Sequence, residues 1–499
     1  MFAFAAICSC SKEIEPSSGT GEVLAEDTYI KVNIVAAKDA TKGTAGDPVA
    51  GSAAENEVKN VLLAFYTSSG NLVEVREYND FQWENTSTTH VEKVSSVVVV
   101  LKGKTIVPRQ VIAVLNYTSA QKAAIAAHST RTAAYNQLVT ENPVSNIDGG
   151  EYFLMSNSTY MDGGKIMYYN EIADSHMYTG DTPPADYKPV DIYVERVAAK
   201  VEVSGTPAGN IKTITLHSGS ELHYYPSITG VALTNTANKS FLVKHVHDYT
   251  GEPGWNWAFN EWNDPVNRRS YWASSNSEGG FTKLSYEEIG TSTEITRYLN
   301  ENTVHAKHTQ LLVAATIKKA ADAVTINPAD GVIENLVKFG PTYYTEDDFL
   351  TVVANEVAAE GVTVGGVAFD KSSLMIVPKT GFYSKVSLVN SVAFDDPAMK
   401  TTAETKLADY DDILFWKDGK SYFFTHVEHF GPDAGVNSFG LVRNHYYDIN
   451  INSIVGLGTP VTDPSEPIAP EKPTDLDYNL AAKINILKWK VVSQSVDLN

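Results

Sequence analysis

Alternation of apolar and polar residues, with many β-branched side chains, dominates the chain and predicts strands. Turn-forming residues separate the alternating segments, as in a sandwich of many short strands. These segments are 28–37, 58–67, 91–103, 109–117, 190–205, 308–319, 373–378 and 446–458. Residues 118–141 are instead rich in Ala and Gln, and Thr118 or Ser119 can cap a helix, so this segment predicts a helix pair or one interrupted helix.

Proline-rich stretches divide the pattern. Residues 180–189 contain three prolines and a glycine and predict a domain boundary. Residues 459–477 are acidic and rich in proline, which predicts a stiff, extended tether outside any core. A chain of 499 residues is too long for one ordinary core. The pattern predicts two tandem β-sandwich domains, 43–189 and 190–458, followed by the tether and a strand-like end at 478–499.

Composition narrows the classes of partner. The net charge of −21 would repel phosphate backbones and anionic lipid heads, so a nucleic-acid partner is not expected. Hydrophobic residues make up 43% and charged residues 20% of the chain, as in globular proteins. Both cysteines lie at the start, Cys8 and Cys10, so the body of the chain can hold no internal disulfide.

The start of the chain is typical of an export signal. Residues 1–7 are apolar but shorter than the ~20 residues that a membrane-spanning helix needs. No Lys or Arg precedes Lys12, so we expect the true start to lie upstream. The sequence Ile-Cys-Ser-Cys resembles a bacterial lipobox and predicts a signal at residues 1–9 with an acylated Cys10, which would anchor the chain to a membrane. An ordinary cleaved signal with two incidental cysteines is the alternative.

Two histidine pairs are candidate metal ligands. His245 and His247 would share one face of a strand, with Asp248 beside them. The sequence has no third ligand at a spacing that is typical of a metal site. His426 and His429 are three residues apart and lack the HExxH arrangement of zinc proteases. Both pairs are better interpreted as structural.

Two further clusters are weak candidates for ligand binding. Asp409, Asp411 and Asp412 could hold calcium but lack the glycine and distal glutamate of an EF-hand loop, so a solvated turn is favoured. A tryptophan-rich loop could stack on sugar rings, although buried anchors have the same composition. Its residues are Trp255, Trp257 and Trp262.

No GxSxG elbow or phosphate-binding glycine loop occurs in the sequence. We therefore expect no enzyme activity and no cofactor or metal.

The first predicted strand has one apolar face. Ile30, Val32 and Ile34 alternate with polar or amphipathic residues, so one face would enter a core. The following loop, 38–52, consists mainly of small and polar residues, the kind of loop that proteases cut.

Several segments, in order from end to end, resemble the Bacteroidales fimbrillins, subunits of the protease-assembled type V pilus, and most closely the major subunit of the short fimbriae. The segments are the lipobox at Cys10, YFLMSNSTY (152–160), YVERVAAKVEV (193–203), VRNHYYDININSIVGLGTP (442–460) and the ending INILKWKVVSQSVDL.

The resemblance implies a fold and a maturation route. The domains would be transthyretin-like β-sandwiches, with a short helical insertion in the first. The precursor would be an outer-membrane lipoprotein carrying acyl chains such as palmitate, and a protease would remove the lipidated propeptide, 10–42, together with the first strand. Relatives are cut after an arginine, but the first arginine here is Arg76. Lys42, followed by Gly43, matches by position, with Lys38 second, so a trypsin-like or lysine-accepting protease is expected.

The tail, 478–499, would be the donor strand that fills the groove of another subunit. Its apolar residues change face between Ile486 and Leu487, which predicts two strand segments with a bend between them. The donor residues are predicted to be Ile484, Ile486, Leu487, Trp489 and Val491.

The implied function is that of a structural subunit of a cell-surface fimbria, polymerised by donor-strand exchange and supporting adhesion and biofilm formation. Its partners would be further copies of itself, other fimbrial subunits, the maturation protease and, before maturation, the outer membrane. The alternatives are a lipid-anchored carbohydrate-binding surface protein with its tail folded back on its own sheet, and a fimbrial accessory or tip subunit. The host receptor, the protease and the choice between shaft and tip stay open.

Overall fold

The computed structural model describes most of the chain between Thr28 and Gln494, and it is mainly β-sheet. The predicted β-sandwich class is confirmed, as are strands in all eight predicted segments. The described residues are 28–37, 52, 54–79, 84–85, 91–100, 106–139, 143–162, 165–179, 185, 187–207, 209–246, 273–276, 279–429, 439–470, 476, 479–487 and 492–494.

A ten-stranded sheet, the first sheet, organises the N-terminal part. Its main path is, in spatial order, Leu72–Tyr78, Val61–Tyr66, Gln110–Leu115, Met155–Asn157, Val190–Arg196, Thr28–Ala37, Val91–Val100 and Glu84–Asn85. Asn170–Glu171 and Met177–Thr179 pair beside this path.

Both faces of the first sheet are covered. All six residues of Val61–Tyr66 are buried. Leu63 belongs to the core on one face and Leu62 to the core on the other. The second of these cores includes Ile125 from the predicted helix pair, and Leu242. The helix pair is therefore part of the packing of the sheet.

The helix pair forms as predicted, as Ser119–Ala127 and Arg131–Tyr135. Thr118 caps the first helix through a capping box with Gln121, which satisfies backbone donors that the first turn leaves free. Among the described residues, no helix has the length and apolar character needed to cross a membrane.

Two five-stranded sheets face each other in the C-terminal part and share one core, to which Val201, Ile449, Val313 and Phe423 contribute. The second sheet contains, in spatial order, Ile295–Leu299, Ala199–Ser204, Tyr446–Val455, Asn479–Leu487 and Val492–Gln494. The third sheet contains Lys212–Thr215, Glu221–Thr234, Gln310–Lys319, Lys420–His426 and Thr459–Pro460.

A helical layer in the C-terminal part was not predicted. Glu346–Ala359 begins at the N-cap Thr345 and carries three acidic residues in its first turn, which suit the positive end of the helix dipole. Pro397–Leu407 begins at the N-cap Asp396. Both helices share a core with the strand Leu414–Trp416 through Phe349, Leu407 and Phe415. The sequence signal was present, since Phe349, Val353 and Val357 recur at helical spacing.

The remaining described elements are short. A three-stranded sheet contains Thr342–Thr345, Leu336–Phe339 and Leu414–Trp416. Six strand pairs are Tyr160–Asp162 with Lys165–Met167, Thr236–Ala237 with Phe281–Thr282, Ser240–Phe241 with Leu138–Val139, Thr363–Val364 with Val367–Ala368, Leu374–Pro378 with Ser384–Leu388, and Val144–Ile147 with Gly150–Phe153. The 3-10 helices are Asp174–His176, Glu287–Ile289, His305–Lys307, Lys371–Ser373, Ala408–Tyr410 and Lys417–Gly419.

The strand predicted over 190–205 divides into two, and the division separates the sheets. Val190–Arg196, which a boundary at residue 189 assigns to the second domain, lies in the first sheet. Ala199–Ser204 lies in the second sheet. We propose that the first domain extends through Arg196.

The predicted tether packs on the C-terminal part over its described residues. Thr459–Pro460 pairs with Lys420–His426. Val461, Ile468 and Leu476 are 6–8% exposed. Proline composition therefore misled the prediction: the described part of this segment turns at Asp463–Glu466, and Val461, Ile468 and Leu476 are buried against the sandwich.

Two fully buried ion pairs, which we call the clamp, lie close together, and one of them ties Lys244 to Glu195 of the first sheet. Lys244 Nζ lies 2.7 Å from Glu195 Oε2, and Arg443 Nη2 lies 2.6 Å from Glu301 Oε1. Arg443 also donates to the carbonyl of Leu242, at 3.0 Å. Burial lowers the pKa of the Lys244 ammonium, and the Glu195 carboxylate opposes that shift.

Replacing Lys244 with Met should lower the free energy of unfolding by about 3–5 kcal/mol, because Glu195 would be left as a buried charge without its cation. Urea denaturation at pH 7.5 measures the loss. Adding Glu195→Leu should recover most of it, because an apolar pair removes the uncompensated charge. Lys212→Met, at an exposed position, is the control. An equal loss in the single and double variants would contradict the assignment.

Candidate functional site

The strand Thr28–Ala37, here called the first strand, lies inside the first sheet with neighbours on both sides. On one side it pairs antiparallel with Val91–Val100 over nine residue pairs. On the other side it pairs antiparallel with Met177–Thr179 and then parallel with Val190–Arg196. A strand with two neighbours forms hydrogen bonds along both edges, so its removal would leave a slot lined by unpaired N–H and C=O groups.

The register places the predicted apolar face of the first strand next to core positions. The side chain of Ile30 is fully buried in the core of the first sheet. Val32 pairs with Val190 and Ile34 pairs with Ile192. Val190 and Ile192 belong to that same core. The slot would therefore have an apolar floor as well as polar edges.

The tail strand, Asn479–Leu487, belongs to the second sheet. It pairs there with Tyr446–Val455. The register places Ile484 opposite Ile449 and Ile486 opposite Tyr447, both of which are buried in the core of the sandwich. The pairing shifts by one residue between Ile451 and Ser453, so the irregularity lies on the body of the domain.

The tail contains two strand segments, but they are not divided where the change of face predicts, and they are not successive in one direction. Val492–Gln494, the return strand, runs back antiparallel to the tail strand, with Ile486 opposite Val492. The tail strand continues through Leu487, so the position of change is within a strand. The return strand forms the edge of the second sheet.

Several predicted site residues lie outside the described residues. They are Cys10, Lys38, Lys42, Gly43, His247, Asp248, Trp255, Trp257, Trp262, Trp489 and Val491. Their predicted roles in lipidation, cleavage, donation and ligand binding stay predictions.

The other predicted candidates have structural partners. The ring of His245 stacks on those of Tyr135 and Phe241, and burial lowers its pKa. Lys379 contacts Asp411 at 2.6 Å and Asp412 at 2.8 Å. Within the described part of the chain, no group of three or more His, Cys, Asp or Glu side chains is placed to hold a metal ion.

A pair of histidines that the sequence did not connect lies on the third sheet. His308 Nε2 is 2.6 Å from His426 Nδ1, although the residues are 118 positions apart. His429, the predicted companion of His426, is instead buried, and its Nδ1 is hydrogen-bonded to Tyr447 OH at 2.8 Å. Only strand pairing between Gln310 and His426 brings the two rings together, and sequence spacing carries no signal of it.

The comparisons with known proteins agree with a fimbrial class. Residues 414–495 match the family model described as major fimbrial subunit protein type IV, fimbrillin, C-terminal. This region includes Tyr446–Val455, the tail strand and the return strand. Over this region the chain is similar to the C-terminal part of the fimbrillins, which confirms the resemblance drawn from its sequence. Fimbrillins are structural proteins, in line with the expectation of no enzyme activity. No curated protein matches the chain.

Solved structures of low sequence identity align over most of the chain. A proposed cell adhesion protein from Parabacteroides distasonis covers 95% of this chain and 99% of its own, at 13% identity and a TM-score of 0.41. A proposed cell adhesion protein from Bacteroides eggerthii covers 91% and 95%, at 11% identity and 0.34. A tip fimbrial protein from Porphyromonas gingivalis with a C-terminal truncation covers 91% and 99%, at 12% identity and 0.31.

The histidine pair predicts a loss of stability in acid. Burial, and then the charge of His308, lower the pKa of His426 to about 4. An unfolded histidine titrates near 6.5, so below that pH the unfolded chain binds a proton that the folded chain does not. Stability should therefore fall as pH drops from about 6.5 towards 4, by about 2 kcal/mol because the ring is partly exposed and its shift is screened.

Urea denaturation between pH 7.5 and 4.5, with EDTA present, measures this slope. His426→Gln should flatten it relative to the parent, and comparison with the parent removes the contribution of the carboxylates. His217→Gln, at an exposed ring stacked on Tyr344, is the matched control. A parent and a His426→Gln variant with the same slope would rule out this origin.

Proposed function

We propose that the protein is a structural subunit of a cell-surface fimbria, exported as an outer-membrane lipoprotein and polymerised by donor-strand exchange. Proteolysis after Lys42 removes the lipidated propeptide with the first strand, and the tail of another copy fills the slot. The polymer supports adhesion and biofilm formation. Its partners are further copies, other fimbrial subunits and the maturation protease.

The position of the first strand is the observation that carries this proposal. An edge strand could be lost with little consequence, but the first strand has a neighbour on each side over most of its length. It also contributes the fully buried Ile30 to the core. Its loss would create a site that only another extended, apolar segment can fill.

The tail strand has a suitable length and pattern. It has nine residues and the first strand has ten. Burial of about five apolar donor side chains, at ~1.5 to 3 kcal/mol each, would contribute on the order of 10 kcal/mol before the costs of ordering and association. A free energy of this order suits a polymer without covalent links.

The docked tail fits a precursor that still holds its own first strand. Leu476 is packed into the sandwich core, so the part that leaves for a neighbour would begin after this residue. Release would separate the tail strand from one partner in the body of the domain, Tyr446–Val455. The slot, in contrast, offers partners on two sides, so transfer would gain strand pairing.

The docked tail also favours a second candidate, an accessory or tip subunit that accepts a strand without donating one. Such a subunit would have the same slot after cleavage and would keep its tail on the second sheet. Acceptance and donation therefore require separate tests.

Cleavage of the purified precursor with a trypsin-like protease should produce ladders on unboiled gels and filaments in electron micrographs, because the slot opens while the tail is available. Mass spectrometry identifies Gly43 as the new N-terminus. A chain truncated after Asp477 should be cleaved equally but remain monomeric, and a Lys38→Ala/Lys42→Ala variant should remain uncut in this loop.

Acceptance is tested by adding a peptide of residues 478–499 to the cleaved, truncated protein. Peptide binding without polymerisation of the cleaved full-length protein would identify an accessory or tip subunit. The donor-strand proposal fails if the cleaved protein binds no peptide, or if the truncated chain polymerises as well as the full-length chain.

Cys10→Ala should abolish labelling with a fatty-acid analogue and should release the precursor from the membrane fraction, because Cys10 is the proposed site of acylation. Cys8→Ala is the matched control and should change neither readout. Equal labelling of the parent and the Cys10→Ala variant would contradict lipidation at this residue.

A further inference from the structure

The histidine pair lies at one end of the third sheet. His308 precedes the strand Gln310–Lys319, and His426 ends the strand Lys420–His426. Both side chains are half-buried. Phe439 packs against both rings, with centroids at 5.1 Å from His308 and 4.9 Å from His426.

The proton on His308 is assigned by its second nitrogen. Nδ1 lies 2.8 Å from the carbonyl oxygen of His305, which can only accept, so Nδ1 carries the hydrogen. In the neutral ring, Nε2 then has a free lone pair, and that lone pair faces His426. A backbone carbonyl that orients a histidine in this way is a common feature of metal ligands.

His426 Nδ1, the nitrogen that faces His308 Nε2, is also arranged as an acceptor. Asn235 Nδ2 donates to Gln310 Oε1 at 2.9 Å, which leaves the amide nitrogen of Gln310 as the donor towards His426. That nitrogen lies 3.2 Å from His426 Nδ1. Two ring nitrogens with lone pairs thus face each other at 2.6 Å.

We propose that His308 Nε2 and His426 Nδ1 together bind a divalent transition-metal ion of the Cu²⁺, Ni²⁺ or Zn²⁺ type. Such an ion accepts both lone pairs and so removes the repulsion between them. Imidazole nitrogen suits these ions, whereas Ca²⁺ and Mg²⁺ require oxygen ligands.

The geometry needs a small adjustment. Metal–nitrogen bonds are about 2.0–2.1 Å long, so two ligands at a right angle are roughly 2.9 Å apart, and the rings must separate by roughly 0.3 Å. Because the described part of the chain offers no third His, Cys, Asp or Glu to this pair, water would complete the coordination. The site is therefore an open, exchangeable one.

Isothermal titration calorimetry of the full chain with Cu²⁺, Ni²⁺ and Zn²⁺ tests the proposal. Cys8 and Cys10 are replaced by Ser beforehand, because thiolates bind the same ions. At pH 7.5 the chain should bind Cu²⁺ more tightly than Ni²⁺ or Zn²⁺, and Ca²⁺ and Mg²⁺ should give no heat. His308→Gln and His426→Gln should each weaken this site by about tenfold or more, whereas His217→Gln should leave it unchanged.

A spectroscopic readout keeps the test decisive if a variant folds poorly. The Cu²⁺ electron paramagnetic resonance spectrum of the parent protein should show nitrogen coupling. Unchanged affinity in both histidine variants overturns the proposal, since the rings would then be joined by their own N–H···N hydrogen bond. A parent spectrum without nitrogen coupling also overturns it.

Discussion

A strand enclosed by two neighbours cannot leave a sheet without exposing two rows of backbone hydrogen-bonding groups, and this constraint governs the first sheet. The first strand pairs with Val91–Val100 on one side and with Val190–Arg196 on the other. Ile30 adds a fully buried side chain. The strand is thus both essential to the sheet and, as the first described segment of the chain, the one that a single cut after Ala37 could separate from the rest.

The chain links this strand to the tail by a short path. Val190–Arg196, a neighbour of the first strand, leads after two residues into Ala199–Ser204. The latter pairs with Tyr446–Val455, which carries the tail strand. The clamp fixes the same region, because Glu195 belongs to the strand beside the first strand. The slot of the first strand therefore borders Val190–Arg196, and the next strand, Ala199–Ser204, pairs with the strand that holds the docked tail.

Sequence reasoning succeeded where a local pattern has one structural solution. The first strand was predicted at residues 28–37 and forms there, and Thr118 caps the predicted helix pair. It failed where a weak pattern competed with a stronger expectation. The helix Glu346–Ala359 was passed over inside a chain that otherwise indicated strands. The tether was predicted from its prolines, although Val461 and Ile468 are buried.

The sequence by itself determined most of the strands and the resemblance to a family. Alternation of apolar and polar residues favours strands because successive side chains of a strand point to opposite faces, and the segment around VRNHYYD resembles the C-terminal part of the fimbrillins. Only the tertiary structure decided which strands are neighbours, which charges are buried together, and that His308 meets His426. Strand order and long-range contacts depend on how distant faces fit and on which buried polar groups find partners, and no local spacing in the chain records either.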